Sequence, residues 1–264
     1  MKKIILTLIS CLLLSFNTVD AKSVKFVQVT DVLYGKNNTQ VQLQQAISEI
    51  NKMPDIDFVV FTGDNISTAN EALLKSFIAE TKKLNKPFYV LAGDRDVSKS
   101  KRLDKETYAK KLHKYIGLRY PETLNYTFSV KKSKVLFIVV DGAKDFITMP
   151  NGYFNDETLK WLEKQIQQNQ NKKIVILQHF PIANKTNNDL MYTANAIQYL
   201  KLINKYENVI SLVAGHFNKN DEISLNGIYY IVTPSLTQNC YKIIEIDEDN
   251  GYQIFTSLVR MDSK

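Results

Sequence analysis

The sequence predicts an α/β fold. Short apolar, β-rich runs alternate with stretches of helical spacing in the N-terminal part of the chain, and the connections between them are short. That β-α-β-α-β order places neighbouring strands parallel. The composition agrees: 44% of the 264 residues are hydrophobic and 23% charged, as in an ordinary globular protein. Collagen-like, low-complexity and disordered classes are thereby excluded. A multi-pass membrane protein is excluded too, because only the N-terminus carries a long apolar run. The length suits one large domain over 22–264, and no repeat or linker interrupts it. A chain of this size buries a normal core without a disulfide or metal staple.

Residues 1–21 read as a secretory signal that precedes the fold. Lys2 and Lys3 supply its positive end, 4–16 its apolar stretch, and Val19-Asp20-Ala21 a cleavage site with small residues at the right spacing. The expectation is an exported protein, periplasmic or secreted, with no transmembrane helix after cleavage. An uncleaved anchor is the alternative, but the apolar stretch is short for a bilayer. A lipid anchor on Cys11 is another, from Leu8-Ile9-Ser10-Cys11, although Leu12-Leu13-Leu14 continues the apolar run where lipoproteins turn polar. Of the two cysteines only Cys240 would then remain, which leaves no intrachain disulfide. Cys240 reads as a buried small hydrophobe.

The elements follow in order. Residues 24–30 form a strand, and 38–52 a helix on the spacing of Val41, Leu43, Ile47 and Ile50. Phe58-Val59-Val60-Phe61 is the centre of a buried strand over 57–62, 69–84 is helical, and 88–92 is a third strand. The Lys- and Arg-rich stretch 97–120 interrupts the rhythm and is expected to be helical. Strands at 125–131 and 134–141 flank a turn, and 156–168 is a helix with Asn155 as N-cap. A strand at 173–178 precedes a helix over most of 188–206. The rest is β-rich, with strands at 208–214, 221–225, 228–233, 240–247 and 252–259.

The strand ends carry the chemistry. They read Thr30-Asp31, Gly63-Asp64-Asn65, Gly93-Asp94-Arg95-Asp96, Gln178-His179-Phe180-Pro181 and Gly215-His216-Phe217-Asn218. In α/β sheets, ligands bind at the carboxyl ends of strands. Carboxylates and imidazoles converging there suit Mn²⁺, Fe or Zn²⁺. Each residue alone has a plainer explanation. An Asp after a strand is commonly a turn former, a Gly before it serves the turn, and His179 alone could be a satisfied core histidine. The combination and its order carry the weight.

That order resembles the calcineurin-like metallophosphoesterase superfamily, and most closely its bacterial cyclic-nucleotide phosphodiesterase-like group. Family members carry D-x-H, G-D-x-x-D, G-N-H-D/E, a His before a short loop, and G-H-x-H. Here these stand as Asp31-Val32-Leu33, Gly63-Asp64-Asn65-Ile66-Ser67, Gly93-Asp94-Arg95-Asp96, His179 and Gly215-His216-Phe217-Asn218. The segment 155–163 also looks like the family's helix before the fourth motif. The likeness spans nearly all of 22–264 and implies a four-layer α/β/β/α sandwich, two mixed sheets flanked by helices.

The resemblance also implies two metals that share Asp64. One would take Asp64, Asp94, His179 and His216, a set that keeps two imidazoles. The other would take Asp31 with Leu33 and Asn218, where the family has two histidines. Leu cannot ligate, and Asn offers only a weak neutral oxygen. The chain has three histidines, and His113 matches no motif, so no other imidazole fills the gap. One good metal position and one poor one are expected, with Asn218 left for substrate.

Arg95 stands where family enzymes place a His that protonates the leaving group. Arg stays charged and cannot act as that acid, but it can clamp phosphate oxygens. A structural pair with Asp94 or Asp96 is the plainer alternative. The net charge of +7 favours anionic substrates by steering. No interleaved aromatic and basic pattern points to nucleic acid. The basic segment 99–114 is read as a solvated helix face rather than a substrate-gathering arm. Sequons such as Asn65-Ile66-Ser67 follow from the Lys- and Asn-rich character and are not read as glycosylated.

The expected function is a metal-dependent phosphoester hydrolase with a reduced, single-metal site, acting on a phosphorylated small molecule and best on good leaving groups. The competing expectation is an inactive relative that binds a phosphorylated ligand or a protein through the same pocket.

Overall fold

The computed structural model describes residues 22–262 except 119, 132, 148 and 184–192. The signal segment with Cys11, and part of the helix expected over 188–206, lie outside the described residues.

Eleven strands form two sheets. In the first, β1 (Ser23–Val29), β2 (Phe58–Phe61) and β3 (Phe88–Val90) run parallel, and β10 (Cys240–Asp247) and β11 (Gln253–Arg260) add antiparallel on the β1 side. In the second, β5 (Val135–Val139), β6 (Lys173–Leu177), β7 (Val209–Ala214) and β9 (Ile228–Val232) run parallel. Antiparallel β4 (Tyr126–Ser129) and β8 (Asp221–Leu225) close its two edges.

Side-chain alternation in β2 explains why both faces of the sheet are covered. Phe58 and Phe61 lie three residues apart and so point to opposite faces. Phe58 meets Phe137 of β5 edge-on, with centroids 4.9 Å apart, and so faces the second sheet. Phe61 meets Phe77 of the helix α2 (Glu71–Thr81) at 5.3 Å. Phe26, Tyr89 and Phe128 complete the aromatic cluster between the sheets. All four β2 residues are buried, as expected for a strand packed on two sides.

Helix α1 (Thr39–Ile50) packs beside α2 on the outside of the first sheet. Helices α4 (Asp156–Gln168) and α5 (Ala196–Ile203) pack together and flank the second sheet. The expected cap on α4 is present: Asn155 Oδ1 accepts from Thr158 N at 2.8 Å. Cys240 is buried.

The helix expected over 97–120 is shorter among the described residues, and of the one expected over most of 188–206 the described helical part is α5. Within 97–120 only α3 (Lys105–Ile116) is helical. Asp104 starts it by accepting from Thr107 N at 2.8 Å, and before it Ser98 and Leu103 exchange backbone hydrogen bonds in a tight loop. Its lysines pair outward, Lys110 with Glu106 and Lys111 with Glu71, while Tyr108 and Leu112 face the core. α5 starts only at Ala196, because Asn195 is pinned across to α4's approach. Its side chain accepts from Phe154 N at 3.1 Å and donates to Phe154 O at 2.6 Å.

Candidate metal centre

The two sheets deliver different chemistry to one place. Asp31, Asp64 and Asp94 follow the carboxyl ends of β1, β2 and β3, which are adjacent in the first sheet. His179 and His216 follow β6 and β7, adjacent in the second. The acids therefore come from one sheet and the imidazoles from the other. Beneath them Gln28, fully buried on β1, donates to Thr62 Oγ1 at 2.9 Å and to Ala214 O of β7 at 2.8 Å. That amide ties the two sheet edges together directly under the centre.

The local backbone is bent to present these side chains. Asp31, Leu33, Asp64, His216 and Asn218 all have positive φ, from 50° to 69°. Such residues cost about 1 kcal/mol or more each and persist where the surroundings enforce them. Close approach is enforced at Gly93: a Cβ there would lie 2.4 Å from Asp64 N and 2.3 Å from Asp64 Oδ1. At Gly215 a Cβ would lie 1.9 Å from Thr30 Oγ1.

Two groups of potential ligands result. Asp94, His179 and His216 form one, and Asp31, Asp64 and His179 the other, each with its ligand atoms within 4.8 Å of one another. His179 Nδ1 lies 2.7 Å from Thr62 O and donates to it. That leaves Nε2 to hold a proton or a metal, 3.1 Å from His216 Nδ1, 3.5 Å from Asp94 Oδ1 and 3.6 Å from Asp64 Oδ1. Asp31 Oδ2 accepts from Thr30 Oγ1 at 2.7 Å and from His216 N at 3.0 Å.

The electrostatics call for a cation. Burial pushes the Asp64 carboxyl well above the ordinary carboxylate range; His179 opposes this, and Asp94, Asp31 and Asp96 reinforce it. Burial disfavours a charged His179, but Asp64, Asp94 and Asp31 outweigh it and hold its pKa up at about 10. Burial likewise acts on Asp94, where the two imidazoles win and hold it below the usual range. Among the described residues Asp94 Oδ1 and His216 Nε2 are buried without a hydrogen-bond partner, although His216 Nδ1 approaches Asp94 Oδ1 to 3.3 Å. Converging lone pairs from two imidazoles and a carboxylate fit a divalent metal ion, so the first group passes as a metal site.

Beside the second group stand two residues where the resemblance implies histidines. Leu33, half-buried, offers only hydrocarbon. Asn218 is exposed and turned back on the chain, its Nδ2 donating to His216 O at 3.3 Å. Arg95 takes neither acid expected for a structural pair. It reaches Asp64 instead, with Nε 3.1 Å from Oδ2 and its backbone N donating to Oδ1 at 2.9 Å. Asp96 is held by four donors: Gly93 N, Asn65 N, Asn65 Nδ2 and Ile66 N. Burial raises its pKa to about 6 against those donors. It locks the turns that carry Asp64 and Asp94, a role the sequence alone does not show.

A cleft of 310 Å³ opens beside the centre, lined by Asp94, Arg95, Ser67, Thr68, Lys101 and Met149 among others. Lys144 is not in its lining but bonds Asn151 and acts on Asp94. Burial lowers the pKa of its ammonium, and Asp94 pulls the other way. Lys144 follows β5, another parallel strand of the second sheet, so the strand-end rule that found the other residues also points to it. A larger groove between α4 and α5 contains none of these residues.

Residues 24–219 match the calcineurin-like phosphoesterase family. A probable glycerophosphodiester phosphodiesterase of Arcobacter nitrofigilis is 26% identical over 79% of this chain and 77% of its own length. A probable cyclic nucleotide phosphodiesterase of Coxiella burnetii is 26% identical over 87% of this chain and 91% of its own. Among solved structures, a dimetal phosphatase from Danio rerio superposes with a TM-score of 0.63 over 84% of this chain and 95% of that one, at 14% identity, a likeness of fold. The chain belongs to the calcineurin-like phosphoesterase family, a family of metal-dependent phosphoester hydrolases.

Proposed function

We propose that this protein is an exported phosphoester hydrolase that works with one divalent ion. The observation that carries the reading is the asymmetry of the centre. Asp94, His179 and His216, with Asp64 beside them, keep converging ligand atoms, while Leu33 and Asn218 leave the other half with no imidazole except the His179 it shares. The residues that would hold the ion are Asp64, Asp94, His179 and His216, with Asp31 fixing the His216 turn. Such an ion, Mn²⁺, Fe or Zn²⁺, supplies Lewis acidity toward a phosphoryl oxygen and lowers the pKa of a water.

The chain's own groups do the rest. Arg95 and Lys101 line the cleft with positive charge and draw in a phosphorylated small molecule, and Lys144 adds its field at Asp94. Asn218 is exposed beside His216, and with its Nδ2 on His216 O only its side-chain oxygen is left to meet a substrate. No imidazole stands at Arg95's position to protonate the leaving group, and a guanidinium stays charged. General acid catalysis is typically worth about 10²–10⁴-fold. Aryl phosphates and pyrophosphates, which leave unaided, are therefore the better substrates, and alkyl phosphates the poorer. The relatives named above as phosphodiesterases support a small phosphorylated substrate. Export rests on the N-terminal signal pattern, with attachment through Cys11 as its variant.

The test is a leaving-group series with added Mn²⁺. p-Nitrophenyl phosphate should turn over on the order of 10²-fold faster than glycerol phosphate. Equal rates would refute the missing-acid account. The losses at Leu33, Ser67 and Asn218 favour a second reading, a binding protein without turnover. Phosphate binding with no Mn²⁺-dependent hydrolysis of any ester would establish it.

A further inference from the structure

Arg95 makes a contact that neither a phosphate clamp nor a local turn requires. It engages both oxygens of Asp64, through its backbone N at 2.9 Å and its Nε at 3.1 Å. Asp64 is buried, with its side chain 5% exposed, among the acids Asp31, Asp94 and Asp96; His179, 3.6 Å from Oδ1, would carry no positive charge there once its Nε2 held a metal. A carboxylate in that setting needs a positive partner. In a two-metal centre the second ion would supply it. Here Leu33 and Asn218 do not hold that ion, and a guanidinium meets Asp64 Oδ2 instead.

We propose that the Arg95 guanidinium replaces the charge of the second metal ion at Asp64 and closes the Asp31–Asp64 half of the centre to a cation. This rests on the single-metal reading above. Arg suits the task because it stays charged and is weakly hydrated. A divalent ion at the same oxygen would meet a fixed positive charge at contact distance, and its binding would be opposed accordingly. Arg95 is thus a positioning residue for Asp64.

The experiment is the Mn²⁺ stoichiometry of four purified proteins, measured by elemental analysis after equilibrium dialysis. Wild type should bind one ion per chain; zero or two would overturn the single-metal reading, and this proposal with it. The pair Leu33→His and Asn218→His restores the missing imidazoles and should still bind one ion while Arg95 is present. Adding Arg95→Gln to that pair should raise the count to two. Two ions in the pair with Arg95 retained, or one in the folded triple variant, would overturn the role of Arg95 and leave the single-metal reading standing. If the triple variant does not fold, Arg95→Gln alone decides. Saturating Mn²⁺ should raise its melting temperature more than it raises that of wild type. Equal increments would overturn the proposal, since a merely structural salt bridge would lower both curves alike.

Discussion

The two halves of the centre share a backbone and differ in side chains. On one side stand Asp94, His179 and His216; on the other Asp31 and the Arg95-bound Asp64 share His179, and Leu33 and Asn218 replace the further imidazoles. Both halves carry the same left-handed turns, at His216 in one and at Asp31, Leu33 and Asn218 in the other. Leu33 holds φ 52°, a conformation that suits Asn, Asp or His better than a bulky apolar residue. The turn is thus present without a ligand to present. Backbone geometry here belongs to the fold, and the strand ends are bent whether or not metal chemistry follows. Ligand chemistry belongs to the side chains and can be lost from one half alone.

The sharpest way to break this comparison is to truncate one side chain in each half, a ligand in one and Leu33 in the other. His179→Ala should weaken Mn²⁺ binding by at least about 10²-fold in calorimetry. Leu33→Ala should leave it within a few-fold. Equal effects would mean that the two halves are not distinct.

A second test strikes the backbone that both halves share. Gly93→Ala drives a methyl into Asp64 and its backbone N. It should destabilise the protein by about 2–3 kcal/mol in urea unfolding and weaken Mn²⁺ binding with it. An unperturbed variant would show that the close approach is not required.

The third test uses pH on metal-free protein. The folded pKa of His179 is raised to about 10. A raised value contributes stability that is fully present below the ordinary histidine pKa of about 6.5 and is lost as pH rises through the folded value. Chelator-treated wild type should therefore lose stability, relative to His179→Gln, between about pH 6.5 and 10. Parallel pH profiles would contradict the acidic surroundings assigned to that ring. The smallest effect serves as a control outside the centre. Asn155→Ala removes the α4 cap and should cost about 1 kcal/mol with Mn²⁺ affinity unchanged.

Much of the fold was legible in the sequence because it is written locally. Apolar runs marked the strands, and Asp or His just beyond them marked the centre. The pairing of two sheets was not in the periodicity; the motif resemblance supplied it. What stayed hidden was non-local. The alternative to a phosphate clamp for Arg95 is a pair with its sequence neighbours Asp94 or Asp96, yet it reaches Asp64 on the preceding strand end, because the tight approach at Gly93 lays that turn across it. Lys144 becomes visible only once β5 is set beside β6. Asp96 shows its role only when Asn65 and Ile66, from another strand end, are brought to its carboxylate. The late start of α5 depends on Asn195 being held by Phe154, a partner 41 residues away.

The most direct test of the central claim is hydrolysis of p-nitrophenyl phosphate by the purified protein with and without Mn²⁺, beside Asp64→Ala. A metal-dependent phosphoester hydrolase should show turnover that requires Mn²⁺ and falls to background in the variant. Turnover that is absent, or that persists equally without Mn²⁺ or in Asp64→Ala, would contradict it.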